Sequence, residues 1–318
     1  MLEIVASVFA VIAAGYLFAL WRGVDKAGTK LLNDYVLFGA LPALLFVAVA
    51  RADVSELQQW GFMGATLAGI AFAFLAGLVV ARAGGVRLPQ AAIPAMAASY
   101  GTTGYMGVPI LVAALGPEAA VPAAIATILH NIPVIMTVII LHDVMTRTAS
   151  AEGGGIGQAI GGALKATLTN PLTVAVAAGV VVSASGLPLP DPLERFAVFL
   201  GAAAGPTALF ALGLGLAQLD AGALREGRRI FAILPLIVIK VVLQPAVTLA
   251  VALLVFGMNA SDPWLVAALI MAAQPIGAGV FVFASKYQYF EDETSVAIIA
   301  SLIVALATLT ILLTIYAG

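Results

Sequence analysis

Apolar runs of membrane length dominate this chain, and two of them are interrupted in the middle. A helix needs roughly 20 apolar residues to cross a bilayer. Ten runs meet that length, at roughly 2–21, 32–50, 58–81, 90–115, 119–145, 170–186, 193–218, 230–257, 264–285 and 294–316. The fourth contains Ser99-Tyr100-Gly101-Thr102-Thr103-Gly104-Tyr105-Met106-Gly107-Val108-Pro109, with three glycines and a proline in eleven residues. The ninth contains Gln274-Pro275-Ile276-Gly277-Ala278-Gly279. Glycine and proline both oppose a helix interior, proline by losing its N–H and by clashing with the preceding turn. In lipid such a break is tolerated only where the freed backbone groups face protein, water or a ligand. Paired interruptions in corresponding spans of two halves are the best sequence pointer to a transporter's binding site.

Composition excludes a soluble protein. The chain is 63% hydrophobic and 9% charged, with a mean hydropathy of +1.12. Soluble domains carry about a quarter charged residues. The expected class is an all-α polytopic membrane protein whose main surroundings are the lipid bilayer. A net charge of -2 gives no reason to expect a nucleic-acid partner. Without cysteine there is no disulfide, no iron–sulfur cluster and no thiolate metal site. Two histidines cannot build a His-rich centre, so neither a metal nor a cofactor is expected. The first run lacks the basic start and cleavage site of a signal peptide, and reads as the first span.

Loop charges orient the spans. Lysine and arginine accumulate on the cytoplasmic side. Eleven of them follow the odd-numbered runs or precede the sixth: Arg22, Lys26, Lys30, Arg82, Arg87, Arg147, Lys165, Arg225, Arg228, Arg229 and Lys286. Only Arg51 and Arg195 lie on the other side, and Lys240 lies within a span. This bias predicts ten spans with both termini on the non-cytoplasmic side. Five spans per half is odd, so the second half must insert upside down. The expected division is a first five-helix repeat over 1–147, a Gly-rich cytoplasmic linker over 148–162, and an inverted repeat over 163–318. Pro42 in span two then matches Pro206 in span seven, and the two interrupted spans become four and nine.

A half-helix that ends inside the membrane leaves backbone groups unpaired. Its N-terminal end attracts anions, and its C-terminal carbonyls suit a cation or water. Gly101, Gly104, Gly107, Gly277 and Gly279 would let backbone approach a ligand, or let helices pack closely. Thr102, Thr103 and Tyr105 add hydroxyls, and Gln274 an amide. Among polar residues inside spans, His130 is a candidate for carrying a coupling proton, or for a neutral hydrogen bond between helices. Lys240, with Gln244 one turn later, could oppose an anionic substrate or snorkel to an interface. Asn131 offers an amide in span five. No carboxylate lies well inside a span, which opposes an acidic cage for a divalent cation. There is no phosphate loop, so ATP does not drive transport through this chain alone. No nucleophile–base arrangement points to an enzyme.

Leu32–Val36 with Leu41–Phe46, Gly104–Pro109, Asn170-Pro171-Leu172 and Ala273–Phe283 together resemble the auxin efflux carrier family, within the wider group related to bile-acid/sodium symporters. The resemblance runs over essentially the whole chain. It implies ten helices in two inverted five-helix repeats, with helices 4 and 9 broken and crossing at prolines, here Pro109 and Pro275. It implies secondary transport of a small organic anion, malonate-like or auxin-like, in a bacterial inner membrane, with H+ or Na+ as coupling ion and a homodimer as plausible assembly. A passive anion channel and a membrane sensor are the alternative classes. The chain departs from the family at two crossing positions that often hold asparagine: here they are Thr102 and Gly279.

Overall fold

The computed structural model describes residues 2–53, 57–149, 161, 165, 168–218 and 227–316. The Gly153–Gly155 linker, Arg225 and most of the amphipathic run between Ile156 and Leu168 lie outside them. Among the described residues every regular element is a helix. They are α1 (Leu2–Arg22), α2 (Lys26–Tyr35), α3 (Leu41–Arg51), α4 (Trp60–Ala83), α5 (Ala92–Ser99), α6 (Val108–Leu115), α7 (Ala120–Ala149) and α8 (Pro171–Ser185). There follow α9 (Asp191–Ala202), α10 (Ala204–Ala217), α11 (Gly227–Val238), α12 (Gln244–Leu254), α13 (Pro263–Ala272), α14 (Gly279–Lys286) and α15 (Glu291–Tyr316).

Among the described residues, six continuous helical stretches are long and apolar enough to cross a membrane: Lys26–Arg51, Trp60–Ala83, Pro117–His142, Asp191–Ala217, Ile233–Leu254 and Glu291–Tyr316. Shorter apolar helices occupy Phe9–Arg22, Thr103–Leu115, Pro171–Ser185 and Pro263–Ala272. The two interrupted runs fall short by length because each is two half-helices, α5 with α6 and α13 with α14.

Among the described residues there are three single π-helical turns: Val36–Ala40 and Ile239–Leu243 join helices end to end, and Thr103–Gly107 opens the half-helix continued by α6. Each ends one residue before an X-Pro pair: Leu41-Pro42, Val108-Pro109 and Gln244-Pro245. Proline has no N–H to give, and its ring clashes with the carbonyl four residues back. Widening the preceding turn by one residue moves that carbonyl aside. Among the described residues three helix starts are capped by side chains. At α2, Gly28 N–H donates to Asp25 Oδ1 at 2.8 Å. Leu172 N–H donates to Asn170 Oδ1 at 2.9 Å, and Trp264 N–H to Asp262 Oδ1 at 2.9 Å, each with proline at the first helical position. Asn170, a span-edge polar residue in the sequence, is therefore a cap.

Helices pack closely where glycine removes a side chain. A Cβ on Gly213 of α10 would meet the α1 backbone at Ile12 and Tyr16, so α1 lies directly along α10. A Cβ on Gly179 of α8 would come 2.9 Å from Phe46 O of α3, and α8 lies along α3. These four elements, with α9 against α3, make one packed group. In the other, α4 packs on α5, α7 and α12, and α15 packs on α11 and α14. The α3 end is tied to α9 by an ion pair between Arg51 and Glu194.

Candidate functional site

The two interrupted runs meet each other. Gly101 and Ile276 form an isolated antiparallel bridge. Thr102 N–H donates to Pro275 O at 3.0 Å, and Gly277 N–H to Tyr100 O at 3.0 Å. Each break thus satisfies the backbone groups that the other frees, which is what lipid demands of a non-helical segment at membrane depth. A third orphan donor, Ile276 N–H, finds Ser301 Oγ on α15 at 3.0 Å. Around this bridge four helix ends converge: the C-terminal ends of α5 and α13, the start of the Thr103–Leu115 half-helix, and the start of α14.

Small residues make the bridge possible. A Cβ at Gly277 or Gly279 would come 2.8 Å from Tyr100 Cε1, so the Tyr100 ring lies across both glycines. A Cβ at Gly107 would come 2.6 Å from Met271 Sδ and 3.3 Å from Gln274 Cγ. A Cβ at Gly101 would come 3.2 Å from both Cε and Nζ of Lys240 and 3.3 Å from Gln274 Cβ. Gly104 faces Leu172 and Thr127. The exposure pattern is one-sided: Gly101, Thr103, Gly104, Gly107, Gln274, Pro275 and Gly277 are buried, while Thr102, Tyr105 and Gly279 are half-buried and Ala278 is exposed. Tyr105 Oη donates to Asn33 O at 3.3 Å, joining the half-helix to α2.

Lys240 is fully buried and donates from Nζ to Ala272 O, the last residue of α13, at 2.6 Å. It does not snorkel. Gln274 donates to Ile270 O at 2.9 Å, and its Oε1 has no hydrogen-bond partner. One turn along from Lys240, Gln244 Nε2 lies 3.4 Å from His130 Nε2. His130 Nδ1 lies 2.9 Å from Ala126 O, which can only accept, so the ring proton sits on Nδ1 and Nε2 receives the Gln244 amide. This is the geometry of a neutral histidine linking α7 to α12. Asn131 is half-buried on α7 beside it. Cavities of ≈ 600, 330 and 300 Å³ are lined by other, mostly apolar residues and leave the bridge untouched.

Most of the expected residues do come together, with one correction. The crossing is centred on Gly101 and Ile276, not on Pro109. Pro109 stands eight residues further along, at the second position of α6, and a Cβ on Gly205 of α10 would lie 3.8 Å from its Cβ. The physical reason is that a helix needs its break where N–H and C=O groups must leave the ladder, and glycine allows that at 101. Proline at 109 only widens the turn. Pro275 is at the crossing, contributing its carbonyl. Sequence reasoning did not select Tyr100, Ser301 or the buried Thr66 and Thr248, whose hydroxyls have no partner. Tyr100 had a signal, an aromatic ring directly before the first glycine of the interrupted run. Ser301 had none, since hydroxyls along apolar helices normally bond their own backbone.

The chain matches the model of a family described as membrane transport proteins over residues 1–154 and 159–313. It is 34% identical over 318 residues to a Rhizobium meliloti (strain 1021) protein described as "Putative malonate transporter", covering 96% of this chain and 92% of that one. With two interrupted helices bridged at its core and a family match along nearly its full length, the chain belongs to the membrane transport protein family of the auxin efflux carriers.

Proposed function

We propose that the chain is a secondary transporter of a small organic anion, working by alternating access around the bridged breaks. The Gly101–Ile276 bridge carries this reading. It brings the starts of two half-helices, Thr103–Leu115 and α14, to one place inside an apolar body. The first amides of a helix have no acceptor in their own ladder and carry partial positive charge, so they suit a carboxylate. Thr102, Tyr105 and Gly279 are the partly accessible part of that place, and the Thr103 hydroxyl, buried without a partner, adds a donor. The similarity to a protein described as a malonate transporter favours a dicarboxylate.

The ten-span, inverted-repeat arrangement belongs to the same proposal. Its support is that packing partners exchange between halves. Span one lies on span seven through α1 and α10, as span six lies on span two through α8 and α3. Span three meets span five through α4 and α7, as span eight meets span ten through α11 and α15. The lysine and arginine bias supports both termini on the non-cytoplasmic side.

The deciding measurement is uptake of radiolabelled malonate, other dicarboxylates and monocarboxylates into proteoliposomes, with H+, Na+ or voltage gradients imposed in turn. Saturable uptake of at least one carboxylate, accelerated by exchange against the same anion inside, is expected. Absence of flux for every anion under every gradient would refute the reading. Non-saturable flux without counter-transport would make the protein a channel.

A further inference from the structure

Where a transmembrane helix stops short, its last carbonyls and the unwound backbone beyond them are the usual seat of a coupling cation. In this chain that seat is taken. Lys240 reaches from the π-helical turn of Ile239–Leu243 to Ala272 O, the end of the broken helix α13. Its Nζ and Cε fill the space that any side chain at position 101 would need, so Gly101 and Lys240 interlock. Among the described residues, no aspartate or glutamate is buried, so no acid neutralises the ammonium. Its compensation is the negative end of the α13 dipole. Two further side-chain oxygens without hydrogen bonds, Gln274 Oε1 and Gln244 Oε1, belong to the residue just past that helix end and to the residue one turn from Lys240.

We propose that Lys240 is a built-in cation, occupying with its own ammonium the place at the helix break where a carrier would otherwise bind Na+, so that this protein neither binds nor needs Na+ there. The inference rests on the transporter reading above and deepens it, by specifying which coupling ion is excluded. Chemically, a tethered ammonium supplies the positive charge of a bound Na+, and its hydrogen bond to the carbonyl stands in for the coordination that Na+ would make as a Lewis acid. Because it cannot leave, it cannot couple a Na+ gradient to transport.

Two measurements test this. The first needs no transport: thermal unfolding of the purified wild-type protein in NaCl, KCl and choline chloride at equal ionic strength. A cation that binds the folded state must raise the midpoint as its concentration passes its dissociation constant. The expected result is the same midpoint in all three salts. A saturable rise specific to Na+ would overturn the proposal. The second uses Lys240→Ala and Lys240→Met. At least a tenfold loss of malonate uptake is expected for both. Lys240→Ala should recover midpoint and uptake when n-propylammonium or Na+ is added, because either can refill the vacated seat. Lys240→Met keeps the volume but not the charge, and should not recover. Full uptake by Lys240→Met without any added cation would overturn the proposal. If Lys240→Ala does not fold, the wild-type salt comparison still decides. If no anion is carried at all, the transporter reading fails, while the salt comparison still reports on the cation seat.

Discussion

Glycines that look alike in the sequence have different tasks in the folded chain. Gly277 lies under the Tyr100 ring, whereas Gly215 on α10 has open space where a Cβ would point. Gly277→Ala must move a ring held against backbone, and overpacking of that kind costs about 1–3 kcal/mol. It should lower the thermal midpoint and cut uptake at least tenfold. Gly215→Ala should instead stabilise by about 0.5–1 kcal/mol, the ordinary gain of alanine over glycine inside a helix. Side-by-side melting of the two variants checks both signs. Gln244→Leu takes the donor from His130 Nε2 inside a buried site. An unsatisfied buried acceptor costs about 1–3 kcal/mol, so the midpoint should fall, and Gln244→Asn should not restore it because the shorter amide stops short of the ring. These distinctions were not legible in the sequence. It marks a position as glycine but does not say which ring, sulfur or ammonium will stand opposite, because that neighbour arrives from a segment more than a hundred residues away.

Among the elements, the prolines were legible as disturbances but not as kinds of disturbance. Pro42 and Pro245 each follow a widened turn inside an otherwise continuous helix, Pro109 follows the widened first turn of a half-helix, and the break proper is at Gly101. Pro109→Ala removes the steric cause of the Thr103–Gly107 widening and returns an N–H that can bond Tyr105 O. The turn should tighten and drag Thr103 and Tyr105 out of register with the bridge. The expected outcome is a loss of uptake of at least tenfold with normal expression and a midpoint within a few degrees of wild type. Pro275→Ala keeps the carbonyl that receives Thr102 N–H, so its loss of uptake should be the smaller of the two. Uptake and melting measured on both variants decide the order.

On the scale of the whole molecule, the proposed alternating access would shift the group of α1, α3, α8, α9 and α10 against the group of α4–α7 and α11–α15. The contact between α6 and α10 crosses that boundary. A Cβ at Gly205 would lie 3.8 Å from the Cβ of Pro109, within the span of a disulfide. The chain has no cysteine of its own, so a Gly205→Cys, Pro109→Cys pair starts from a clean background. Oxidation should abolish uptake, and reduction should restore it to the level of Pro109→Cys alone. Unchanged uptake in the oxidised protein would mean that the two groups do not move apart.

The helical class, the membrane setting and the two interruptions were determined by the sequence alone. Apolar length and the backbone's need for hydrogen bonds in lipid act locally, through the residues of each run. The partners of the interruptions were decided only by the tertiary structure. Antiparallel pairing of Gly101 with Ile276, the Tyr100 ring over Gly277 and Gly279, and Lys240 at the end of α13 each join segments distant along the chain. The breaks announced that backbone groups would be free at two places. Only packing of the helices around them could determine that each break would satisfy the other, and that a lysine rather than an empty seat would close the broken helix.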